Sequence, residues 1–240
     1  GLTEENIMNA CNLAFRSGWN TIKLYFMIGL PTETYEDLDG IVDVANKVVD
    51  LYYSIPKEER TRGLSVTVSA STFVPKPFTA FQWSGQNNIE EIKEKQDYLK
   101  KHLTNRAVKF NWHEPEISVI EAILAKGDRR LNDVIYHAWE MGAKFDSWGE
   151  FFDYNRWIKA FEDLNIDYKY YSERNINLDE NLPWDHIDIF VTKEFLKKEY
   201  KRALEEKVTL NCRTNCAGCG AAVAGCGVCF EERKKDKNES

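Results

Sequence analysis

The chain has 240 residues, of which 43% are hydrophobic and 30% charged, a composition typical of a folded globular protein and not of a disordered or fibrous one. The formal net charge of −7 makes attraction of the whole surface to nucleic acid or an anionic membrane a poor expectation, although a local groove for nucleic acid is not excluded. No apolar run approaches the roughly 20 residues of a membrane span, and no signal peptide opens the chain, which predicts a cytoplasmic protein without a membrane partner. Because the chain begins with Gly1 and not with Met, we expect it to be a piece of a longer protein.

Residues 1–115 alternate between helical and strand patterns. Thr3 is placed to cap a first amphipathic helix, and further helices are predicted from about residue 35 and over residues 88–103. Between them, buried or β-branched runs predict strands over residues 22–28, 64–72 and 108–112. The order αβαβαβ favours a parallel sheet with right-handed crossovers, its strands pairing in sequence order.

The rhythm changes after residue 115. Residues 116–208 are predicted to form a helical extension, with helices over residues 116–126, 128–141, 154–164 and 192–206 joined by aromatic-rich connections. Residues 209–240 combine clustered cysteines with a charged end. The sequence therefore predicts three parts, with boundaries near residues 115 and 208.

Polar residues at the carboxyl ends of the first two predicted strands are candidates for binding, because sites in parallel α/β sheets form at that edge. Gly29 follows the first strand and lets a ligand approach the backbone closely. The backbone amides that lead from it into the next helix can bind an anion. A plain turn after the first strand and ordinary polar positions in the second are the alternatives. The cofactor-binding candidates are Gly29, Leu30, Pro31, Thr32, Glu33, Ser69, Ser71 and Thr72.

Two histidine–carboxylate combinations are candidate catalytic groups. His113 and Glu114 directly follow the third strand, where a histidine beside a carboxylate can serve as acid or base. Asp185 and His186 lie in a Trp-Asp-His-Ile-Asp run of the helical part. A surface loop in the first case and a capped turn in the second remain open as alternatives.

The cysteine-rich tail is the strongest chemical signal. Five of the six cysteines lie in one short stretch: Cys212, Cys216, Cys219, Cys226 and Cys229. Four of them form two C-x2-C pairs, Cys216 with Cys219 and Cys226 with Cys229. C-x2-C spacing directs both thiolates to one ion, and neighbouring glycines leave room for a bulky centre. Metal binding is favoured over a disulfide relay, and the fifth cysteine favours an iron–sulfur centre over zinc. Cys11 stands alone in an apolar helical stripe, which predicts a buried core residue.

Several motifs in order resemble the second half of a radical SAM (S-adenosylmethionine) enzyme barrel. They are IKLYFMIGLPTET at residues 22–34 and STFVPKPFTAFQW at residues 71–83, followed by the segment at residues 109–146 and LPWDHID at residues 182–188. Together these segments resemble a little-characterised family of radical SAM proteins that carry an N-terminal cobalamin-binding-like domain. The resemblance covers nearly the whole chain.

The resemblance implies a fold and a set of cofactors. The fold class is α/β: the C-terminal half of a partial (β/α) radical SAM barrel with parallel strands, a helical extension and a cysteine-rich tail. In the family, a [4Fe–4S] cluster cleaves S-adenosylmethionine to a 5′-deoxyadenosyl radical, and the residues around Gly29 and Ser69 would line the S-adenosylmethionine cavity. Cobalamin would bind through an upstream domain, and an auxiliary iron–sulfur cluster or zinc would bind at the tail.

One departure from the family pattern decides what the chain alone can do. The family's cluster ligands form a C-x3-C-x2-C set near the beginning of the barrel, where this sequence has only Cys11. Cys212, Cys216 and Cys219 have that spacing but follow the barrel strands, and Gly218 occupies the place of the usual aromatic residue. We therefore expect an oxidoreductase fragment that is inactive alone, needs the N-terminal half of its parent protein and acts on an unknown substrate. The alternative from another class is a non-enzymatic metal-binding interaction module.

Overall fold

Three parallel strands organise the first part of the chain. The computed structural model describes residues 2–212 and 214–224. Strands β1 (Thr21–Ile28), β2 (Ser65–Thr72) and β3 (Val108–Trp112) pair in the order β1-β2-β3. Both pairings are parallel, with Tyr25 opposite Ser69 and Ser69 opposite Asn111. The predicted parallel sheet, its strand order and the strand positions to within one residue are confirmed.

Helices connect the strands and continue after them. Before and between the strands lie α1 (Glu4–Arg16), α2 (Tyr35–Ser54) and α3 (Ile89–His102). The helices after β3 are α4 (Pro115–Lys126), α5 (Leu131–Glu140), α6 (Tyr154–Asp163), α7 (Lys169–Ser172) and α8 (Lys193–Leu204), followed by a 3₁₀ turn at Ala221–Ala224. No helix among the described residues is long and apolar enough to cross a bilayer.

The hydrophobic core of the sheet lies on one face only. The apolar stripe of α2, which includes Leu38 and Val48, packs with Leu24, Val66 and Val68 of the sheet. Burial of one such aliphatic side chain contributes about 1.5–3 kcal/mol to folding. Because strand side chains alternate between faces, the residues between these core positions lie on the opposite face of the sheet.

That opposite face is polar and largely exposed. On β1 it presents Lys23, Tyr25 and Met27, and the Tyr25 side chain is 73% exposed. On β2 every second residue is half-buried and carries a hydroxyl: Ser65, Thr67, Ser69 and Ser71. We call this surface, with Lys109 and Asn111 of β3, the open sheet face.

The chain divides into two compact units. The sheet unit comprises the chain up to Val74 together with Gln86–Glu121, and the helical unit comprises Pro75–Gly85 together with the chain from Ala122 onward. In the helical unit, the backbone N–H of Ile176 donates to the Trp83 carbonyl at 2.7 Å, so the loop after β2 packs with distant helical segments. The three-part division drawn from the sequence stays a prediction.

Two helices of the helical unit differ from the sequence-based expectation. Helix α5 begins at Leu131 and not at residue 128, because residues 128–131 form a turn in which the Asp128 carboxylate accepts the Arg130 N–H at 2.9 Å. A Cβ on Gly127 would lie 2.2 Å from Leu131 Cδ1, so a side chain there would displace the Leu131 side chain at the start of α5. The Lys169–Ser172 segment, which the sequence suggested as a connection, forms the one-turn helix α7.

Candidate functional site at the carboxyl edge of the sheet

The turn after β1 is closed by its own glutamate. Gly29 has a φ of +79°, and its N–H donates to both carboxylate oxygens of Glu33, at 2.9 and 3.0 Å. The Glu33 N–H in turn donates to the Leu30 carbonyl at 3.1 Å. Thr32, at φ +68°, also adopts the left-handed region between them. The amide of Gly29 is therefore engaged inside the turn and is not free to hold an anionic ligand.

Lys95 of α3 forms an ion pair with the glutamate of this turn. Its Nζ lies 2.7 Å from Glu33 Oε1 and 3.1 Å from Asn87 Oδ1. The side chains of Lys95 and Glu33 are only 14% and 5% exposed. Replacing one partner of an ion pair so shielded from water lowers the stability of the fold, because the charge of the other partner stays buried and unpaired. The sequence gives no local signal for Lys95, which is 62 residues from Glu33.

The end of β2 contains a buried hydroxyl without a partner. Thr72 is 6% exposed, and its Oγ1 makes no hydrogen bond to any described residue. Its neighbour Ser71 donates to the Phe26 carbonyl at 3.2 Å, whereas Ser69 is half-buried on the open sheet face. Buried polar groups in native proteins are nearly always hydrogen-bonded to protein, water or ligand. Thr72 thus leaves an unused hydroxyl at the carboxyl end of β2, on the same face of the strand as the core residues Val66 and Val68.

Gln86 ties together the loops that follow the strands. Its Nε2 donates to the carbonyls of Phe73, at 2.9 Å, and Ser118, at 3.2 Å, while its Oε1 is buried without a partner in the described structure. The Phe73 N–H donates to the Ile28 carbonyl at 2.8 Å and extends the β1–β2 pairing past Thr72. Gln86 was missed by the sequence analysis, and only its long-range bonds identify it.

His113 and Glu114 are both exposed at the end of β3. The backbone holds His113 in place, since its N–H donates to the Ala70 carbonyl at 3.3 Å and its carbonyl accepts Gln96 Nε2 at 2.9 Å. Glu114 lines a cleft of about 320 Å³ together with Lys93 and Lys100. His113 and Glu114 therefore sit at the sheet edge, with side chains accessible to solvent.

Asp185 and His186 belong to the helical unit. The Asp185 carboxylate accepts the Leu182 N–H at 2.8 Å and Lys193 Nζ at 2.6 Å, which is the arrangement of a capped turn. Nearby, the buried Trp184 donates its indole N–H to Gln82 Oε1 at 2.7 Å. His186 is exposed. These bonds give Asp185 a structural role in the turn, as the alternative interpretation of the sequence predicted.

The described cysteines do not form a metal centre. Cys212 and Cys216 are exposed, Cys219 is half-buried, and all three are free thiols. Within residues 2–212 and 214–224, no three His, Cys, Asp or Glu side chains are grouped so as to hold a metal ion. Cys226 and Cys229 lie outside the described residues. Cys11 is buried as expected, and burial raises the pKa of its thiol, so it is poorly suited to ligate a cluster.

Comparison with known proteins gives one partial relative. The chain is 33% identical over 135 residues to the uncharacterized protein MJ0966 of Methanocaldococcus jannaschii. The aligned region is 55% of this chain and 27% of that protein. No family model and no solved structure matches the chain.

Proposed function

We propose that this chain is the C-terminal half of a radical SAM iron–sulfur oxidoreductase, in which the open sheet face forms part of the wall of the cavity for S-adenosylmethionine and substrate. The observation that carries the proposal is a parallel sheet with helices and an apolar core on one face and hydroxyl, amide and amino groups on the other. The barrel, the activity and the cofactors are inferences from this arrangement and from the sequence motifs.

The polarity of the open sheet face supports a ligand-lined wall. Parallel sheets are usually covered on both faces and consist of nearly continuous aliphatic runs. Here Tyr25, Ser69 and Asn111 form one row across the three strands. Lys23, Thr67 and Lys109 form the row before it. Side chains of this kind suit a polar cavity, and in (β/α) barrels the reacting molecules bind at the carboxyl ends of the strands.

The edge residues fit a polar cofactor in part. Ser69 presents its hydroxyl on the open sheet face, whereas Thr72 lies on the core face of β2 and is not part of the proposed cavity wall. The Glu33 carboxylate instead accepts the Gly29 N–H and pairs with Lys95 Nζ. Its role in the proposal is therefore to fix the turn beside the cofactor. We therefore assign ligand contact to the β2 hydroxyls of the open sheet face and a positioning role to Gly29 and Glu33.

The cluster does not fit the described part of this chain, in which no three possible ligands are grouped. When bound in the parent protein, the [4Fe–4S] cluster and S-adenosylmethionine supply a 5′-deoxyadenosyl radical. The ligands of that cluster would come from the N-terminal half of the parent, and cobalamin from a domain further upstream. The substrate stays unassigned, and the tail cysteines are proposed for an auxiliary iron–sulfur cluster or zinc.

The test is S-adenosylmethionine cleavage by the parent protein, reconstituted anaerobically with iron and sulfide and reduced with dithionite. We expect 5′-deoxyadenosine from the parent and none from residues 1–240 alone. Ser69→Ala should lower the rate or the affinity for S-adenosylmethionine. Ser65→Ala is the matched control, because it removes the same hydroxyl from the same face of β2 at the far end of the strand.

Three results would count against the proposal. A reconstituted parent that contains its cluster but forms no 5′-deoxyadenosine would exclude the activity. Equal effects of Ser69→Ala and Ser65→Ala would show that the carboxyl end of β2 does not contact S-adenosylmethionine. A colourless parent that contains zinc and no iron would favour the metal-binding interaction module instead.

A further inference from the structure

A polar cavity lies within the helical unit. Its volume is about 100 Å³, enough for several water molecules or one small organic molecule. Its polar lining comprises Lys126, Asp128, Tyr170, Arg174 and Glu180. Its apolar lining includes the side chains of Ile176, Leu182 and Pro183.

Lys126 is the unusual member of this cavity. The residue is 4% exposed, and its Nζ donates to the backbone carbonyls of Ser84, at 2.7 Å, and Arg174, at 3.0 Å. A protonated lysine carries three N–H donors, so one is left over. Among the described residues no carboxylate lies within ion-pair distance of this ammonium group. A buried charge without a counter-charge is unfavourable, and burial together with the nearby Arg174 lowers the pKa of Lys126 to about 8.

The other charges around the cavity are already neutralised in pairs. Arg174 forms a two-pronged ion pair with Glu180, with N–O distances of 2.9 and 2.8 Å. Arg130 pairs with Asp128, its Nη2 lying 2.6 Å from Oδ2. Of the four charged residues that line the cavity, Lys126 is therefore the one without an ion-pair partner among the described residues.

A further donor at the cavity lacks an acceptor. Arg174 Nε is buried and has no hydrogen-bond partner in the described structure, because both of its terminal nitrogens are used by Glu180 and Tyr170. Arg174 and Lys126 both line the cavity, and each has one N–H donor without an acceptor. Two unused donors and one uncompensated positive charge call for an acceptor with two oxygens and one negative charge.

The aromatic walls are fixed in place. Tyr170 lies under the Arg174 guanidinium, 4.2 Å from ring centroid to Cζ. Tyr171 donates its hydroxyl to Asp128 Oδ1 at 3.3 Å, and Arg130 stacks over both rings at 5.5–5.6 Å. Burial and the neighbouring Asp128 raise the pKa of Tyr171, so its hydroxyl stays protonated at neutral pH. A pocket of rings and aliphatic groups suits a ligand with a short carbon chain.

We propose that this cavity binds a small organic monocarboxylate, whose carboxylate pairs with Lys126 and the Arg174 Nε–H and whose carbon chain lies against the tyrosine, leucine and proline side chains. A monoanion neutralises the single positive charge. A phosphate dianion would bring a second negative charge for which the lining has no cation. The site is independent of the proposed radical SAM activity.

The test uses the full chain and propionate as the probe, with propionamide as its neutral analogue and inorganic phosphate as the alternative anion. Binding is followed at pH 7 by the ¹⁵N-correlated NMR signal of the Arg174 Nε–H group. We expect a saturable shift with propionate and none with propionamide. Arg156, whose guanidinium pairs with Asp153 elsewhere in the helical unit, supplies the internal control signal.

A second experiment replaces Lys126, the cation of the cavity. Lys126→Met should weaken propionate binding by about tenfold or more, because a charge-assisted hydrogen bond is lost. Lys159→Met is the matched control, since Lys159 is exposed and pairs with Asp163 on α6. If Lys126→Met does not fold, Lys126→Gln keeps amide donors for the Ser84 and Arg174 carbonyls and removes only the charge.

Three results would overturn the proposal. The absence of a saturable Arg174 shift with propionate would exclude the site. An equal response to propionamide would show that the charge of Lys126 does not select the ligand, leaving this lysine as a structural tie between Ser84 and Arg174. Tighter binding of phosphate than of propionate would exclude the monocarboxylate class.

Discussion

Lys95 and Glu33 form an ion pair, with Nζ 2.7 Å from Oε1, that ties α3 to the turn after β1. The pair is largely shielded from water, and the same carboxylate also receives the Gly29 N–H. One side chain therefore fixes the turn and neutralises the lysine. This arrangement ties the turn at the carboxyl end of β1 to α3, beside the proposed cofactor site.

Removing the carboxylate should destabilise the sheet unit. Glu33→Ala leaves Lys95 with Asn87 as its remaining polar partner and the Gly29 N–H without an acceptor, so we expect the free energy of unfolding to fall by about 3 kcal/mol. Urea-induced unfolding measures the change, and faster hydrogen exchange at the Gly29 amide locates it. The control is Glu4→Gln, which breaks a Lys47 pair whose side chains are both half exposed and should change stability little. Equal effects of the two substitutions would show that burial of the Glu33–Lys95 pair is unimportant.

Gly29 should not tolerate a side chain. Its φ of +79° is unfavourable for other residues, and a Cβ would lie 3.0 Å from Asn87 Oδ1, which is a partner of Lys95. We expect Gly29→Ala to lower the free energy of unfolding by about 1–3 kcal/mol.

Gly40 provides the matched control for this substitution. It lies in α2, and a Cβ added there would have no neighbouring atom within 4 Å, so Gly40→Ala should raise the free energy of unfolding by about 0.5–1 kcal/mol. Thermal and urea unfolding compare the two variants. A Gly29→Ala protein as stable as the wild type would mean that the turn relaxes without strain.

Lys126 should make stability depend on pH in a defined window. Its pKa is about 8 in the folded protein against 10.5 for an ordinary lysine. Between these values the unfolded chain binds more protons than the folded protein, so the contribution of Lys126 makes the free energy of unfolding rise with pH, by at most about 1.4 kcal/mol per pH unit. The Lys126→Met protein should lack this rise.

The measurement is urea unfolding of wild type and Lys126→Met at pH 7, 8, 9 and 10, without added carboxylate. The stability of the wild type relative to the variant should increase across the series. Lys159→Met controls for an exposed lysine, because the ion pair with Asp163 raises the pKa of Lys159 and gives no such increase in this range. A constant difference between wild type and Lys126→Met would contradict the lowered pKa.

The tail cysteines should control metal content without affecting the sheet unit. We expect the double substitution Cys216→Ser and Cys219→Ser to abolish bound metal, because it removes two thiolates from the predicted ligand set. Iron and zinc are measured by elemental analysis, and charge-transfer absorbance after anaerobic purification distinguishes an iron–sulfur centre from zinc. The unfolding of the sheet unit should be unchanged, since its core contains neither residue.

Cys11→Ala is the control for this experiment. It removes a buried thiol from the core of the sheet unit and should leave the metal content unchanged. Stoichiometric metal retained by the double variant would refute the assignment of the tail cysteines.

Parts of the candidate site could be located from the sequence, but their contacts could not. The Gly29-Leu30-Pro31 turn was placed correctly at the end of β1, because a buried run followed by Gly and Pro marks a strand end. The prediction of anion binding depended on free amides leading into α2. The N–H groups of Glu33 and Thr34 already donate to the Leu30 carbonyl and the Asp37 carboxylate. Asp185 likewise fitted either a site or a turn in the sequence, and its bond to the Leu182 N–H accounts for the turn.

The sequence by itself determined the three-stranded parallel sheet and most of its helices, because the spacing of apolar residues along each segment specifies which face is buried. Only the tertiary structure decided that Lys95 meets Glu33, or that Lys126 reaches Ser84 and Arg174, which are 42 and 48 residues away. Such contacts arise when whole segments pack against one another. Local periodicity carries no information about which polar side chains that packing brings together and shields from water.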